Sequence, residues 1–72
     1  MHRLIVRNAL GEQIGIKKID ITKLPSTFAM RTAMLRGEAQ KIVKNSNAYL
    51  GEKDLRWILI SHSNRAVMEG EL

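Results

Sequence analysis

The chain has no cysteine, one proline, three aromatic residues and only 7 acidic side chains against 12 Lys and Arg in 72 residues. Each shortage excludes something. Without cysteine there are no disulfides and no thiolate metal ligands, so packing or self-association must hold so small a chain together. A domain of this size buries only about 60% of the surface its unfolded chain exposes, which makes a homodimer an expected state. With Phe28, Tyr49 and Trp57 as the whole aromatic complement, a sheet that stacks unpaired bases is disfavoured. The longest apolar run, Trp57 to Ile60, is four residues. That is far below the ~18 needed to span a bilayer, and the first residues form no apolar signal stretch. These features predict one soluble, cytoplasmic domain over residues 1–72 with no membrane partner.

Positive charge is concentrated early. Residues 1–51 carry nine Lys/Arg and three acids, whereas residues 52–72 carry three and four. A net charge of +5 with a pI near 10.1 favours encounter with phosphates or with an acidic protein surface.

His2 to Arg7 alternates and is rich in β-branched residues, as a strand requires. Asn8-Ala9-Leu10-Gly11-Glu12 supplies turn residues, and Gln13 to Lys17 resumes the alternation, so a β-hairpin is expected with Leu4, Val6, Ile14 and Ile16 on one face. Ile16 and Ile19 are three apart across Lys17-Lys18, a slip that sets them on opposite faces unless a bulge intervenes.

Thr22 or Ser26 would cap a helix of about five turns ending before Asn45-Ser46-Asn47. Its core stripe at ~100° per residue is Leu24, Phe28, Thr32, Leu35, Ala39 and Ile42, with Val43 at the margin. Gly37 implies a local weakness or the close approach of another backbone. Ala48 to Asp54 reads as a loop that tucks Tyr49 and Leu50 under the helix end.

Leu55 to Ile60 is apolar on both faces, like an interior strand covered on two sides, and Ser61-His62-Ser63-Asn64 turns into a last strand over Arg65 to Leu72. The whole is an α+β fold, a small antiparallel sheet (β-β-α-β-β) with one helix packed across one face. The rival is a continuous helix from Trp57 through His62 to Met68.

No catalytic constellation is present. His2 and His62 have no acidic residue at ligand spacing, so no metal is expected. Ser61, His62 and Ser63 are neighbours whose side chains point apart, without a nucleophile elbow. The five glycines are too scattered for a phosphate loop, and Glu52 and Asp54 stand beside Lys53 and Arg56 as solvated or ion-paired groups. Neither an enzyme nor a cofactor is expected.

Two surfaces remain. Arg3, Arg7 and Lys17, extended by Lys18 and Lys23, would form a cationic stripe on the sheet face away from the helix, suited to the backbone of DNA or structured RNA. On the helix, Met30, Ala33, Met34 and Gly37, with Arg31, Lys41 and Lys44 around them, lie opposite the core stripe and suit a dimer or protein-partner face. The expected function is a small basic nucleic-acid-binding module. The alternative is an inhibitor or adaptor that docks on a protein through the Met/Ala helix face or a sheet edge.

Overall fold

A computed structural model describes residues 1–46 and 54–72. Its elements are β1 (His2–Arg7), β2 (Gln13–Ile19), a short 3-10 turn (Ile21–Lys23), α1 (Phe28–Lys44), β3 (Arg56–Ile60) and β4 (Ala66–Glu71). The strands form one antiparallel sheet in the order β2-β1-β3-β4, and α1 lies across one face. The expected α+β architecture is present, and a helix through Trp57 to Met68 is excluded. The reading of Tyr49, Leu50 and Glu52 falls outside the described residues.

The β1–β2 connection is built by Asn8. Its side-chain oxygen accepts from the backbone N–H groups of Leu10 (3.0 Å) and Glu12 (2.9 Å), and Gly11 takes φ 81°, where a side chain would be strained. The β3–β4 turn works similarly: Ser61 Oγ accepts from the Arg65 amide at 3.2 Å and Asn64 adopts φ 64°.

A bulge in β2 decides which residues reach the core. Gly15 pairs with Val6 and Gln13 with Arg7, so Ile14 is an extra residue. Ile14 packs against the core, whereas Ile16 pairs with Ile5, lies on the face away from the helix and is 49% exposed. This corrects the expectation that Ile16 shares a face with Leu4 and Val6. Ile16 and Ile19 do take opposite faces, but Ile19 is the one in the core.

The core consists of Leu4, Val6 and Ile19 from the hairpin, Leu35 and Ala39 from α1, and Trp57 and Leu59 from β3. Leu24, Ile42, Val43, Leu55 and Met68 pack around it. The expected helix stripe holds for Leu35, Ala39, Ile42 and Val43; Leu24 packs against the core from outside α1, as the C-cap of the 3-10 turn, Thr32 is only half-buried, and Phe28 leaves the core. Phe28, at the same helical azimuth as Leu35 and Ala39, is 75% exposed because it occupies the first position of α1, where the helix end has no sheet beneath it. The caps also differ. Thr27 is the N-cap of α1 without a side-chain bond, while Thr22 sits in the 3-10 turn capped by Asp20.

Both edge strands place a glycine on the helix face where a neighbour needs the room. A Cβ on Gly15 would collide with Ile42 Cγ2, and one on Gly70 would lie 2.8 Å from three atoms of the Trp57 indole. Gly37 has nothing within 4 Å, so no other backbone approaches it among the described residues.

Candidate nucleic-acid interface

The helix covers one face of the sheet and leaves the other open. Strand register arranges that open face in three cross-strand rows: Lys18–Arg3–Ile60–Ala66, Ile16–Ile5–Ile58–Glu69 and Gln13–Arg7–Arg56–Glu71. The middle row is apolar over three strands, and Ile5 is only 5% exposed although no helix covers it. Trp57 and Leu59 point to the helix, but Ile58 and Ile60 lie on the open side, so among the described residues β3 is covered on one face and not on the expected two.

Charge divides this face in two. Arg56 sits opposite Arg7, but its guanidinium is held by Glu71 (3.3 Å) and Glu69 (3.8 Å), so the β3–β4 half carries its own counter-charges. On the β1–β2 half, Arg7 and Lys18 have no carboxylate partner among the described residues, and Arg3 donates only to the neutral side-chain oxygen of Asn64. Arg3, Arg7 and Lys18 thus share the open face, with Lys18 opposite Arg3 and Arg7 four residues further along β1. Lys23 is not among them; it lies exposed in the 3-10 turn beyond β2.

Lys17 belongs to the other face. It pairs with Leu4 and its ammonium is bonded to Glu38 of α1, which also receives Lys41 at 3.5 Å. The hydrogen bond from Lys17 is the main reason the Glu38 carboxyl titrates below the ordinary glutamate range. The physical cause of the misplacement is the bulge at Ile14, which shifts the phase of everything after it. Adjacent lysines must point to opposite faces of a strand, so the sequence guaranteed one cation per face and left open which.

The helix face opposite the core carries Met30 (58% exposed), Met34 (46%), the exposed Ala33 and the half-buried Gly37. Arg31 turns back to donate from Nε to the carbonyl of Pro25 and is not part of a free basic rim.

The structure brings the two histidines together, which sequence distance conceals. Their rings stand edge to face with centroids 6.4 Å apart, where the β3–β4 turn meets the start of β1. Ser61 Oγ is engaged with Ser63 Oγ at 2.9 Å and with the Arg65 amide, and among the described residues no group positions it for attack. Among the described residues no cluster of three or more His, Asp or Glu could hold a metal ion, and no helix is long and apolar enough to cross a membrane. An open groove of about 440 Å³ runs between the β2 edge and the C-terminal half of α1, past Gly15, Lys17, Lys41 and Ile42.

Among the described residues, the fold and its surfaces define a class: a four-stranded antiparallel sheet with one α-helix across one face and no described element over the other. Comparisons with protein-family models, with curated proteins and with solved structures find no match for this chain.

Proposed function

We propose that this chain is a non-catalytic binding module that holds a nucleic-acid backbone on the hairpin half of its open sheet face. The observation that carries this reading is the set Arg3, Arg7 and Lys18, three cations on an uncovered face with no carboxylate among the described residues to neutralise them. Size favours contact with the backbone over insertion into a groove. Four strands at ~4.8 Å spacing already place the outer strand axes about 14 Å apart before side chains are added, against a major groove of ~12 Å. Along β1, the four-residue step from Arg3 to Arg7 covers about 14 Å, several phosphates of one strand at ~3.4 Å of axis each. Glu69 and Glu71 repel a polyanion from the β4 side and so align it with the hairpin.

Three phosphate contacts give a salt slope of about −2.7 on duplex DNA, an affinity drop of about 40-fold between 50 and 200 mM salt. Fluorescence anisotropy with a mixed-sequence duplex measures it. The triple variant Arg3→Gln/Arg7→Gln/Lys18→Gln should flatten the slope, whereas Lys17→Gln should leave it unchanged. Absence of binding at 50 mM salt would overturn the reading. The exposed Phe28, Met30 and Met34 favour a second one, docking on a protein partner. Partner capture that is lost in Met34→Asp and indifferent to the arginine changes would establish it instead.

A further inference from the structure

The β2 edge and the groove beside it are shaped for an extended peptide. The amide of Asn8 donates to Glu12 O, so at two-residue steps Val6, Leu4 and His2 turn their main-chain groups to β2, where Gly15, Lys17 and Ile19 stand opposite them. The bond from the Leu72 amide to Leu55 O fixes the same alternation from the far side of the sheet, through β3 to β1. The N–H and C=O groups of Ile16 and Lys18 therefore point outward from β2, where no strand meets them among the described residues. This free stretch is short, because the bulge at Ile14 ends it on one side and Asp20, the N-cap of the 3-10 turn, on the other.

Alongside it lies the groove of about 440 Å³, with the C-terminal half of α1 as its far wall. The groove is cationic where Lys17 and Lys41 share the carboxylate of Glu38, and apolar where the half-buried Ile42 meets Gly15. Lys17 and Lys41 remain 47% and 69% exposed, and Lys18 adds a cation with no carboxylate partner among the described residues. These lysines repel a second copy of the same edge and attract an acidic strand. The main chain separates a peptide from a phosphate backbone. The outward carbonyls of Ile16 and Lys18 need donors, which a peptide has and a phosphodiester lacks.

We infer that β2 is extended by an antiparallel strand from an acidic peptide seated in this groove. Register gives the chemistry of that strand. Its residues opposite Lys18 and Ile16 bond to the edge and project onto the open face, whereas those opposite Lys17 and Gly15 turn to the helix side. Acids opposite Lys18 and Lys17, followed by β-branched apolar residues opposite Ile16 and Gly15, match the wall they meet. The order is acid-acid-apolar-apolar from N- to C-terminus. Ile16, 49% exposed in the single chain, becomes covered. Arg3 and Arg7 take no part, so this contact and the polyanion reading stand or fall separately.

The probe is the terminally blocked peptide Ser-Glu-Glu-Val-Val-Ser, titrated into the full chain and followed by amide NMR. The Ile16 and Lys18 amides should shift and exchange at least ~10-fold more slowly. N-methylation of the first Glu or the first Val, whose amides face the edge, should abolish binding; N-methylation of the second Glu or second Val should preserve it. Lys41→Glu, at an exposed helix position, should weaken binding at least ~5-fold with the circular dichroism of the fold retained, and Arg3→Gln/Arg7→Gln should leave it unchanged. No binding at about 0.5 mM chain would overturn the inference. Equal affinity for the reversed peptide Ser-Val-Val-Glu-Glu-Ser, or equal effects of all four methylations, would overturn it too. So would Lys41→Glu weakening duplex DNA and not the peptide, which gives the groove to phosphates, or protection of Ile16 and Lys18 that rises with chain concentration without peptide, which gives it to a second copy.

Discussion

Replacing Gly70 with alanine should destabilise the fold even though alanine is the better strand residue, and the size of the effect follows from one contact. The new Cβ would lie 2.8 Å from Cε2, Cζ2 and Nε1 of Trp57, where ordinary contact needs at least 3.4 Å. The ring cannot step aside freely: Trp57 is wholly buried in a cluster with Leu4, Leu35 and Leu59, so relief requires movement of the ring into that core or of β4 away from it. Overpacking of this kind costs about 1–3 kcal/mol, and the entropy gained by removing a glycine from the unfolded chain returns about 0.4–1. The net is about 1–2 kcal/mol, or roughly 5–15 °C in Tm for a domain of this size. Urea unfolding followed by Trp57 fluorescence, the only tryptophan signal in the chain, would show a lower midpoint with an unchanged slope. Gly37→Ala is the internal control. It adds the same methyl group to a helix position with nothing within 4 Å and should stabilise by about 0.8–1 kcal/mol. Equal stability of Gly70→Ala and the parent would refute the idea that the indole lies against a bare backbone.

The register makes its own test. Ile16→Thr should change stability by no more than about 0.5 kcal/mol, whereas Leu59→Ala should cost about 2–5, and comparable losses at both positions in urea melts would contradict the placement of Ile16 on the open face. Gly15→Ala should behave like Gly70→Ala, because its Cβ meets Ile42 Cγ2, and in an Ile42→Ala background, which lacks that methyl group, Gly15→Ala should cost less. Glu38 titrates lower in the folded chain than unfolded, through its bond from Lys17, so the unfolded state binds more protons as pH falls. Its contribution is complete above the ordinary glutamate range and disappears as pH drops through the folded value. Asp20 is shifted in the same direction by its hydrogen bonds from Thr22, so the Glu38 part is read as the difference between the parent and Lys17→Met in melts from pH 6 to pH 3. Identical acid profiles for the two would count against the Lys17–Glu38 pair.

Periodicity made most of this architecture legible. The alternation of His2 to Arg7, the Asn8–Glu12 and Ser61–Asn64 turns and the Leu35/Ala39/Ile42 stripe each have a local cause that acts within a few residues. What could not be read depends on comparing two strands or two ends. The bulge at Ile14 is a property of a pair, since only against Val6 and Arg7 does β2 contain a residue too many. Phe28 satisfies the helical period and still misses the core, because a stripe specifies direction and not whether the sheet extends that far. The glycines at 15 and 70 show the same limit. In sequence they look like weak points of a strand, and only the neighbouring Ile42 and Trp57 reveal them as space already occupied.

The displaced phase also bears on the candidate interface. Without the extra residue, the alternation of β2 would place Lys17 on the open face beside Arg3 and Arg7, and Glu38 of the helix would lose the cation it holds. With it, Lys17 is spent on fastening α1 to the edge strand, and the neighbouring Lys18 takes the position opposite Arg3. The number of strand cations on the open side is the same in either phase, but their partners are not. The lysine that faces the helix is matched by a carboxylate, and the one that faces outward is unmatched among the described residues. The acids follow the same division: Glu38 serves the packed side, and Glu69 and Glu71 are drawn onto Arg56 at the far half of the sheet. Uncompensated strand charge is thereby gathered on β1 and β2, which is the distribution the proposed polyanion contact requires and one that total charge alone does not specify.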